Sequence, residues 1–316
     1  MQTLLHQLEG LLMKTKSDSS RFSIIANPTE DEVKEFQKGL EAYSMEKTHG
    51  EFNSPQPWLN LVLKDQEGKI VGGLFTSTLF WTLYLEVLWV DDKYRGLGYG
   101  RDLVLEAQRL AKKDGCISSH VYTFSWQAPD FYQAVGYKLV ATYEGYHGGI
   151  TEIILMKRLD TIDEESPQKL DSTRFTISKD STEESQAIVR RGLGRNFEQH
   201  VSDLMKKYPH TGYKLVIKND DGQVIGGMNG YTTMGTMFVE GLWVDERYRG
   251  QGYGKDLLMH AEKLAKEKGC IAGQTACFSF QELAFLKKHG FNKYGVSDGY
   301  PKEAKEYFLI KKFQSD

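Results

Sequence analysis

The feature that most constrains this chain is an internal repeat whose two copies are separated by 154 residues. The segment at 86–100, EVLWVDDKYRGLGYG, matches EGLWVDERYRGQGYG at 240–254, and eleven of these fifteen positions are identical. The same offset aligns GKIVGGL at 68–74 with GQVIGGM at 222–228. A period this long leaves room for several helices and strands within each copy. It therefore indicates duplicated domains and excludes a solenoid of short repeats.

The repeat also defines the expected domain boundaries. Between the copies, the segment RLDTIDEESPQKLDS is polar, contains Pro167 and lacks apolar periodicity, which is typical of a linker. The first residues place leucines at helical spacing among polar residues, so they predict a short helix and not a signal peptide. We predict an N-terminal helix at 1–20, a first domain at 21–158, a linker at 159–172 and a second domain at 173–316.

Composition excludes several classes of protein. The 316 residues carry a formal net charge of −3, without the basic excess that a nucleic-acid partner usually requires. No stretch approaches the about eighteen apolar residues of a membrane span, so no membrane partner is expected. Three cysteines without metal-ligand spacing are expected to be buried apolar residues. We expect a cytoplasmic protein without a bound metal.

Within one copy, the apolar pattern predicts an α/β domain. Thr29 followed by acidic residues predicts a helix start, and the apolar run at 83–90 predicts a strand that is buried on both faces. The segment 101–113 has apolar residues at helical spacing and ends before Gly115. A hairpin precedes these elements, and a strand, a short helix and two strands follow them. The predicted fold is two tandem domains, each a mixed, mostly antiparallel sheet flanked by helices.

The sharpest chemical feature is Arg95-x-x-Gly98-x-Gly100, which lies between the strand at 83–90 and the helix at 101–113. Glycines at such a turn let backbone N–H groups converge, and the helix adds its own N-terminal N–H groups and the positive end of its dipole. This arrangement predicts a pyrophosphate site. The second copy repeats it with Arg249, Gly252, Gly254 and Lys255.

Two other nucleotide-binding motifs fit this segment poorly. A Walker loop reads GxxxxGK followed by Ser or Thr, whereas the second copy is one residue shorter and continues with Asp256. A dinucleotide fingerprint reads GxGxxG and opens the first βαβ unit, whereas these glycines lie in the middle of a domain, after antiparallel strands. The sequence therefore argues against both motifs.

Four separated segments occur in the same order in both copies. They are LWVD followed by YRGxGYG, a Gly-Cys pair at the end of the helix, an FSxQ segment with aromatic residues, and a Gly-Tyr pair before the last strand. Together they resemble the GNAT superfamily of N-acetyltransferases, whose phosphate-binding motif reads R/Q-x-x-G-x-G/A. The resemblance covers about 22–159 and 175–313, and it identifies the chain as similar to bacterial members in a tandem arrangement.

The resemblance implies acetyl-CoA as the acyl donor, held in the same way by each copy. Backbone groups of the LWV strand would pair with the pantetheine arm, and amides of the glycine-rich loop would hold the pyrophosphate. In the first copy the implied cofactor-binding residues are Leu88, Trp89, Val90, Arg95, Gly96, Leu97, Gly98, Tyr99, Gly100 and Arg101. In the second copy they are Leu242, Trp243, Val244, Arg249, Gly250, Gln251, Gly252, Tyr253, Gly254 and Lys255.

The resemblance also implies a catalytic acid, Tyr132, which would protonate the departing thiolate. The second copy has Leu286 at this position, so a water or Tyr294 would have to replace the phenol, or that copy binds without turnover. Glu86 is the candidate base, because counting by two along the strand places it on one face with Leu88 and Val90. A structural ion pair would explain this repeated glutamate equally well.

We therefore predict an N-acetyltransferase that moves an acetyl group to a primary amine by direct attack, with the first domain as the main catalyst. The alternative is an acyl-CoA-binding sensor or scaffold protein that does not turn over. A weaker third hypothesis is an interaction module built around the N-terminal helix. The partner is expected to be a small-molecule or peptide amine. The sequence does not identify it, and it leaves the oligomeric state open.

Overall fold

A computed structural model describes residues 22–50, 59–161, 175–179 and 182–314 of the protein. The first repeat contains β1 Ser23–Ala26, α1 Glu30–Lys47, β2 Asn60–Asp65, β3 Ile70–Leu79, β4 Thr82–Val90, α2 Tyr99–Lys113, β5 Ser118–Phe124, α3 Pro129–Ala134, β6 Lys138–Tyr143 and β7 Glu152–Arg158. The second contains β8 Phe175–Ser178, α4 Glu183–Lys207, β9 Thr211–Lys218, β10 Val224–Thr233, β11 Thr236–Val244, α5 Tyr253–Glu267, β12 Ala272–Phe278, α6 Leu283–Lys288, β13 Asn292–Ser297 and β14 Glu306–Lys312. The predicted helix at 1–20 and most of the predicted linker lie outside the described residues.

The strands form two seven-stranded sheets of matching topology. The first sheet has the order β6-β7-β5-β4-β3-β2-β8, and the second has the order β13-β14-β12-β11-β10-β9-β1. In each sheet one pair of strands is parallel, β4 with β5 and β11 with β12, and the others are antiparallel. Helices α2 and α5 cover one face of their own repeat's sheet. The predicted α/β class, two mixed and mostly antiparallel sheets flanked by helices, is confirmed.

The two repeats exchange their first strand and first helix. Strand β1 pairs with β9 of the second sheet, and β8 pairs with β2 of the first sheet. The helix that follows each strand crosses with it, so that α1 packs on β10 and β11 while α4 packs on β3 and β4. The sequence segments 21–158 and 173–316 therefore do not each correspond to one sheet, because each sheet takes its edge strand and one covering helix from the other repeat.

Small residues let the exchanged helices approach the sheets closely. A Cβ atom at Gly39 of α1 would overlap the indole ring of Trp243, and one at Gly192 of α4 would overlap the ring of Trp89. Likewise, a Cβ at Gly73 would lie 2.6 Å from Val189 of α4. Interiors are packed at crystal-like density, so these contacts fix where each helix lies on the sheet of the other repeat.

Further contacts join the two halves at β6 and β13 and at the loops that follow these strands. Ser118 Oγ donates to the carbonyl of Gly299, and Thr236 Oγ1 donates to the carbonyl of Gly145 at 2.8 Å. The backbone N–H of His147 donates to the carbonyl of Met234 at 3.0 Å. Each loop before a last strand therefore reaches into the other half of the molecule.

Candidate functional site

A gap opens in each sheet between the two parallel strands. The pairing of β4 with β5 ends at Leu85 and Val121, although β4 continues to Val90 and β5 to Phe124. On that side, the backbone of 86–90 has no neighbouring strand. The second sheet separates in the same way after Val239. An extended ligand could add to this free edge as a further strand would.

Glu86 lies at a β-bulge, which changes the alternation of side chains along β4. The register with β3 shifts here and leaves Glu86 as an extra residue after Leu85, so that Leu85 and Leu88 both face the core beneath α2. Ser77, on the opposite face, donates from its Oγ to Glu86 Oε1 at 2.5 Å. The expectation that Glu86 shares a face with Leu88 and Val90 is therefore wrong, since counting by two fails across a bulge.

The second copy has the same bulge at Glu240, to which Asn229 Nδ2 donates at 3.1 Å. Glu86 and Glu240 are both exposed, and both project from the sheet face opposite α2 and α5. Bulges next to active sites commonly redirect a side chain. In this protein the bulge presents a carboxylate on the face that the exchanged helix covers.

The glycine-rich loop has the backbone geometry that the sequence predicts. Gly96 and Gly98 have φ angles of 74° and 92°, which L-residues rarely adopt. Gly98 is the N-cap of α2 and offers no capping side chain, so the first N–H groups of the helix remain directed into the loop. Arg95 Nε donates to the carbonyl of Val90 at 3.0 Å, and this bond anchors the loop to the end of β4. Arg249 and Val244 repeat it at 2.9 Å.

A cavity of about 750 Å³ lies beside the loop of the second copy. Most of the residues implied as cofactor-binding in that copy line it, while Gln251 turns away and donates from Nε2 to the carbonyl of Arg247. Leu40 and Tyr43 of α1 also line the cavity, and the Arg249 guanidinium lies 5.0 Å from the centre of the Tyr43 ring. The exchanged helix of the first repeat thus forms one wall of a site in the second.

Tyr132 and Leu286 occupy equivalent positions on the short helices α3 and α6. Leu286 lines the second cavity, together with Phe285, the counterpart of Phe131. Tyr132 is 8 % exposed, and its ring packs edge-on against Tyr137 at 5.9 Å between centroids. Burial raises the pKa of the Tyr132 phenol well above its usual value, so the group stays protonated at neutral pH.

Comparison with known proteins identifies the family. The model of the acetyltransferase (GNAT) family matches residues 25–137 and again 182–291. The chain belongs to the GNAT acetyltransferase family. Its enzyme class is therefore acyltransferase, and the two matches confirm the tandem arrangement.

Two relatives and one solved structure illustrate the similarity. Blasticidin-S acetyltransferase of Streptomyces morookaense is 42% identical over 95 residues, which are 30% of this chain and 70% of that protein. Thialysine N-epsilon-acetyltransferase of Bos taurus is 31% identical over 67 residues, 21% of this chain and 39% of that protein. The crystal structure of an acetyltransferase from Bacillus cereus is 34% identical and covers 42% of this chain and 95% of its own, with a TM-score of 0.40.

Sequence reasoning missed a group of polar residues on the sheet face that carries Glu86. Tyr84 and Tyr122 project from β4 and β5, and Tyr300 and Glu306 come from the second repeat. Glu306 is 7 % exposed, and burial raises its pKa to about 7 although a hydrogen bond from Tyr300 opposes the rise. The signal in the sequence is a repeated Gly-Tyr pair with a Glu six residues after the Tyr, at Tyr146 and Glu152 and again at Tyr300 and Glu306.

The pH dependence of stability should report this buried carboxyl. The pKa of Glu306 is raised from 4.5 to about 7 in the folded protein. Between these pH values the carboxyl ionises readily only in the unfolded chain. The folded state therefore loses stability as the pH rises through this range. Glu306→Gln carries no ionisable group there. We expect the Tm of the variant relative to wild type to increase from pH 5 to pH 8. Thermal melts at both pH values measure this, and a constant difference would contradict the raised pKa.

Other chemistries find little support among the described parts of the chain. Cys116, Cys270 and Cys277 are buried and unpaired, as expected. Within these ranges no group of three or more His, Cys, Asp or Glu side chains could hold a metal ion. None of the helices described is long and apolar enough to cross a membrane.

Proposed function

We propose that this protein transfers an acetyl group from acetyl-CoA to a primary amine, and that the first copy of the motif carries out the reaction. One observation carries the proposal: the free edge of β4 lies beside the uncapped start of α2, and Tyr132 occupies the position of Leu286, which lines the cavity of the second copy. A thioester with a long amide-bearing arm and a pyrophosphate matches this arrangement group by group.

In this proposal, the residues of the first copy bind the cofactor in order along its length. The backbone of Leu88, Trp89 and Val90 pairs with the pantetheine amides along the free edge. The amides from Arg95 to Arg101 hold the pyrophosphate, helped by the positive end of the α2 dipole. Acetyl-CoA would add two charged phosphates to a loop that has N–H groups ready for them. The side chain of Trp89 does not take part, because it lies against α4.

The transfer to a cationic amine needs three proton movements: the ammonium loses one proton before it attacks, the nitrogen loses a second as the amide forms, and the sulfur gains one. The amine attacks the thioester carbonyl, the C–S bond breaks, and the thiolate sulfur takes a proton from Tyr132. The Glu86 carboxylate is exposed on the sheet face opposite α2. We propose that the Glu86 carboxylate attracts a cationic amine and takes, through water, the N–H proton that is lost as the amide forms. The name of the Bos taurus relative, thialysine N-epsilon-acetyltransferase, supports a nitrogen acceptor.

Release of free CoA from acetyl-CoA in the presence of an amine panel tests this function. The panel should span polyamines, amino acids, amine-bearing antibiotics and peptides, with the same compounds lacking their amine as matched controls. Turnover with at least one amine supports the proposal. A protein that binds acetyl-CoA but releases no CoA with any amine would instead be a sensor or scaffold.

The second copy supports a more limited proposal, binding without turnover. Its loop and free strand edge are retained, and its cavity of about 750 Å³ is large enough for part of a cofactor. Leu286 cannot donate a proton, however. Tyr294 packs against Tyr143 and accepts from Gln274 Nε2, and it does not line the cavity. We propose that this copy holds acyl-CoA or CoA mainly as a ligand.

Calorimetric titration should therefore find two acetyl-CoA sites in wild type and one in either loop variant. Gly98→Ala and Gly252→Ala each place a side chain at a φ above 90°, which strains the loop that must present its N–H groups. Gly68→Ala is the matched control, since Gly68 has a φ of 79° in the turn between β2 and β3, outside both glycine-rich loops, and should keep two sites. A wild-type stoichiometry of one would contradict binding in the second copy.

A further inference from the structure

The sheet face that carries Glu86 in the first copy is lined with phenols. Tyr84 and Tyr122 lie on neighbouring strands, with ring centroids 6.5 Å apart. Tyr122 is 39 % exposed although β5 is an internal strand, because β4 has already diverged from β5 at this level. The second copy has Phe238 and Ala276 at these positions. The tyrosines are therefore particular to the first copy and border its gap.

The second repeat extends this cluster with a connected pair of residues. The hydroxyls of Tyr84 and Tyr300 are 2.9 Å apart, and Tyr300 donates its own proton to Glu306 Oε2. Because the proton of Tyr300 is used in this way, Tyr84 must be the donor in the contact between the two phenols. The lone pairs of the Tyr84 oxygen are then available to accept a further N–H. The chain of donors runs from Tyr84 on β4, next to the gap in the first sheet, to a carboxyl of the other repeat.

Glu306 is enclosed mainly by groups that carry no charge at neutral pH. The ring of His120 lies 5.4 Å from that of Tyr300, centroid to centroid, and burial lowers the pKa of His120 to about 3, so that it is neutral. Its Nε2 lies 3.0 Å from Ser297 Oγ, and its buried Nδ1 has no hydrogen-bond partner within the described chain. The titratable groups that interact with Glu306 are Tyr84 on β4, Tyr122 on β5, Cys277 on β12, Tyr294 on β13 and Tyr300 in the loop before β14.

We propose that Glu306 of the second repeat is a positioning residue for the first site, which receives the proton of the amine acceptor through Tyr300 and Tyr84. This role rests on the proposed acetyl transfer. The ammonium N–H proton passes to the Tyr84 oxygen as the Tyr84 proton moves to Tyr300 and the Tyr300 proton moves to the carboxylate. The products of this step are a neutral amine, which can attack the thioester, and a neutral carboxylic acid. Both phenols end as they began.

The equivalent path is interrupted in the second copy. Glu152 and Tyr146 repeat Glu306 and Tyr300, and burial likewise raises the pKa of Glu152 to about 7. Phe238 replaces Tyr84, however, and has no hydroxyl to pass a proton to the cavity. The first copy alone therefore combines this path with Tyr132. Glu152 provides a matched control, because it has the same partner type and a similar environment but no such connection.

The test is the dependence of kcat and kcat/KM on pH, with an amine whose own pKa is near that of lysine, about 10.4. Wild type should show a rising limb with a midpoint near the Glu306 pKa of about 7.

Glu306→Gln keeps an oxygen that accepts from Tyr300. It should lower kcat at pH 8 by about 10-fold to 100-fold, with little change in KM, and remove the limb. Tyr84→Phe should do the same, and the double variant should be no slower than the slower single variant. Glu152→Gln should keep the wild-type profile.

The possible results separate the role of Glu306 from that of Glu86 and from the acetyl transfer itself. A limb that survives in Glu306→Gln but disappears in Glu86→Gln would overturn the role of Glu306 and leave the acetyl transfer intact. If the fold-loss of kcat in the double variant equals the product of the losses in the two single variants, the connection through Tyr84 is overturned. A wild type that is inactive with every amine refutes the proposed function itself, and this role with it. Thermal melts of wild type and the variants that coincide at pH 5 show that loss of folding is not the cause of a lowered kcat.

Discussion

Tyr132→Phe is expected to lower kcat by about 100-fold to 1,000-fold, the range in which a well-placed general acid contributes, while acetyl-CoA still binds. The substitution removes one oxygen and keeps the ring that packs against Tyr137 and Phe131. Because burial holds the phenol protonated, its proton is available when the thiolate leaves. Steady-state CoA release and calorimetric titration measure the two effects separately.

Tyr137→Phe is the matched control for this prediction. Its hydroxyl is equally buried but is occupied by Gln108 Nε2 at 3.0 Å and Ser119 Oγ at 2.6 Å, so its loss should reduce stability more than turnover. Leu286→Tyr tests the other copy and should either leave the rate unchanged or restore a second activity. Unchanged turnover in Tyr132→Phe would contradict the assignment of the acid, whatever Leu286→Tyr does.

Local signals in the sequence were sufficient for most elements. Thr29 caps α1, and Glu32 completes the capping box, because both bonds form within four residues of chain. The apolar run at 83–90 is β4, Thr82–Val90, and the helix predicted from residue 101 begins two residues earlier, at Tyr99. The loop glycines have the positive φ angles that the motif requires. These features depend on neighbours in sequence, so a single sequence contains them.

The bulge at Glu86 could not be predicted from the sequence alone. The residues before and after the bulge are mostly apolar on both faces of β4. The hydrophobic pattern of the strand is therefore the same whether or not it contains a bulge. Only the register with β3 reveals that the alternation changes. The sheet face on which Glu86 lies depends on this long-range pairing.

The contact of Tyr84 with Tyr300 and Glu306 could not be predicted from the sequence, for a related reason. Tyr84 and Tyr300 are 216 positions apart, and neither lies in the glycine-rich motif. A comparison of the copies does show that Tyr84 becomes Phe238, while Tyr300 and Glu306 are repeated as Tyr146 and Glu152. Without the contact, however, that difference carries no chemical meaning.

The exchange of helices could not be predicted either, because the two partners of each helix have nearly the same sequence. Trp89 and Trp243 stand at equivalent positions, so α4 could pack on either sheet with similar contacts. A substitution that disturbs only one helix does not distinguish the arrangements, but a double-mutant comparison does.

We expect Gly192→Ala to lower the free energy of unfolding by about 2 kcal/mol, as overpacking of a closed interior typically does. The added Cβ would overlap the ring of Trp89, which is held by Phe75 and Val189 in a buried cluster. Gly194→Ala is the control on the same helix. Its Cβ would meet nothing within 4 Å, and alanine should stabilise the helix by up to about 1 kcal/mol.

The partner of Gly192 then follows from a second substitution. Trp89→Phe shortens the ring that the new methyl group would overlap, so it should recover part of the loss caused by Gly192→Ala. Trp243→Phe acts on a ring that lies against Gly39 and should add its own cost without any recovery. Chemical denaturation of the single and double variants gives both coupling energies. Coupling of Gly192 to Trp243 in place of Trp89 would show that α4 packs on the sheet of its own repeat. In that case each site would be built within one repeat, and Leu40 and Tyr43 would not belong to the second cavity.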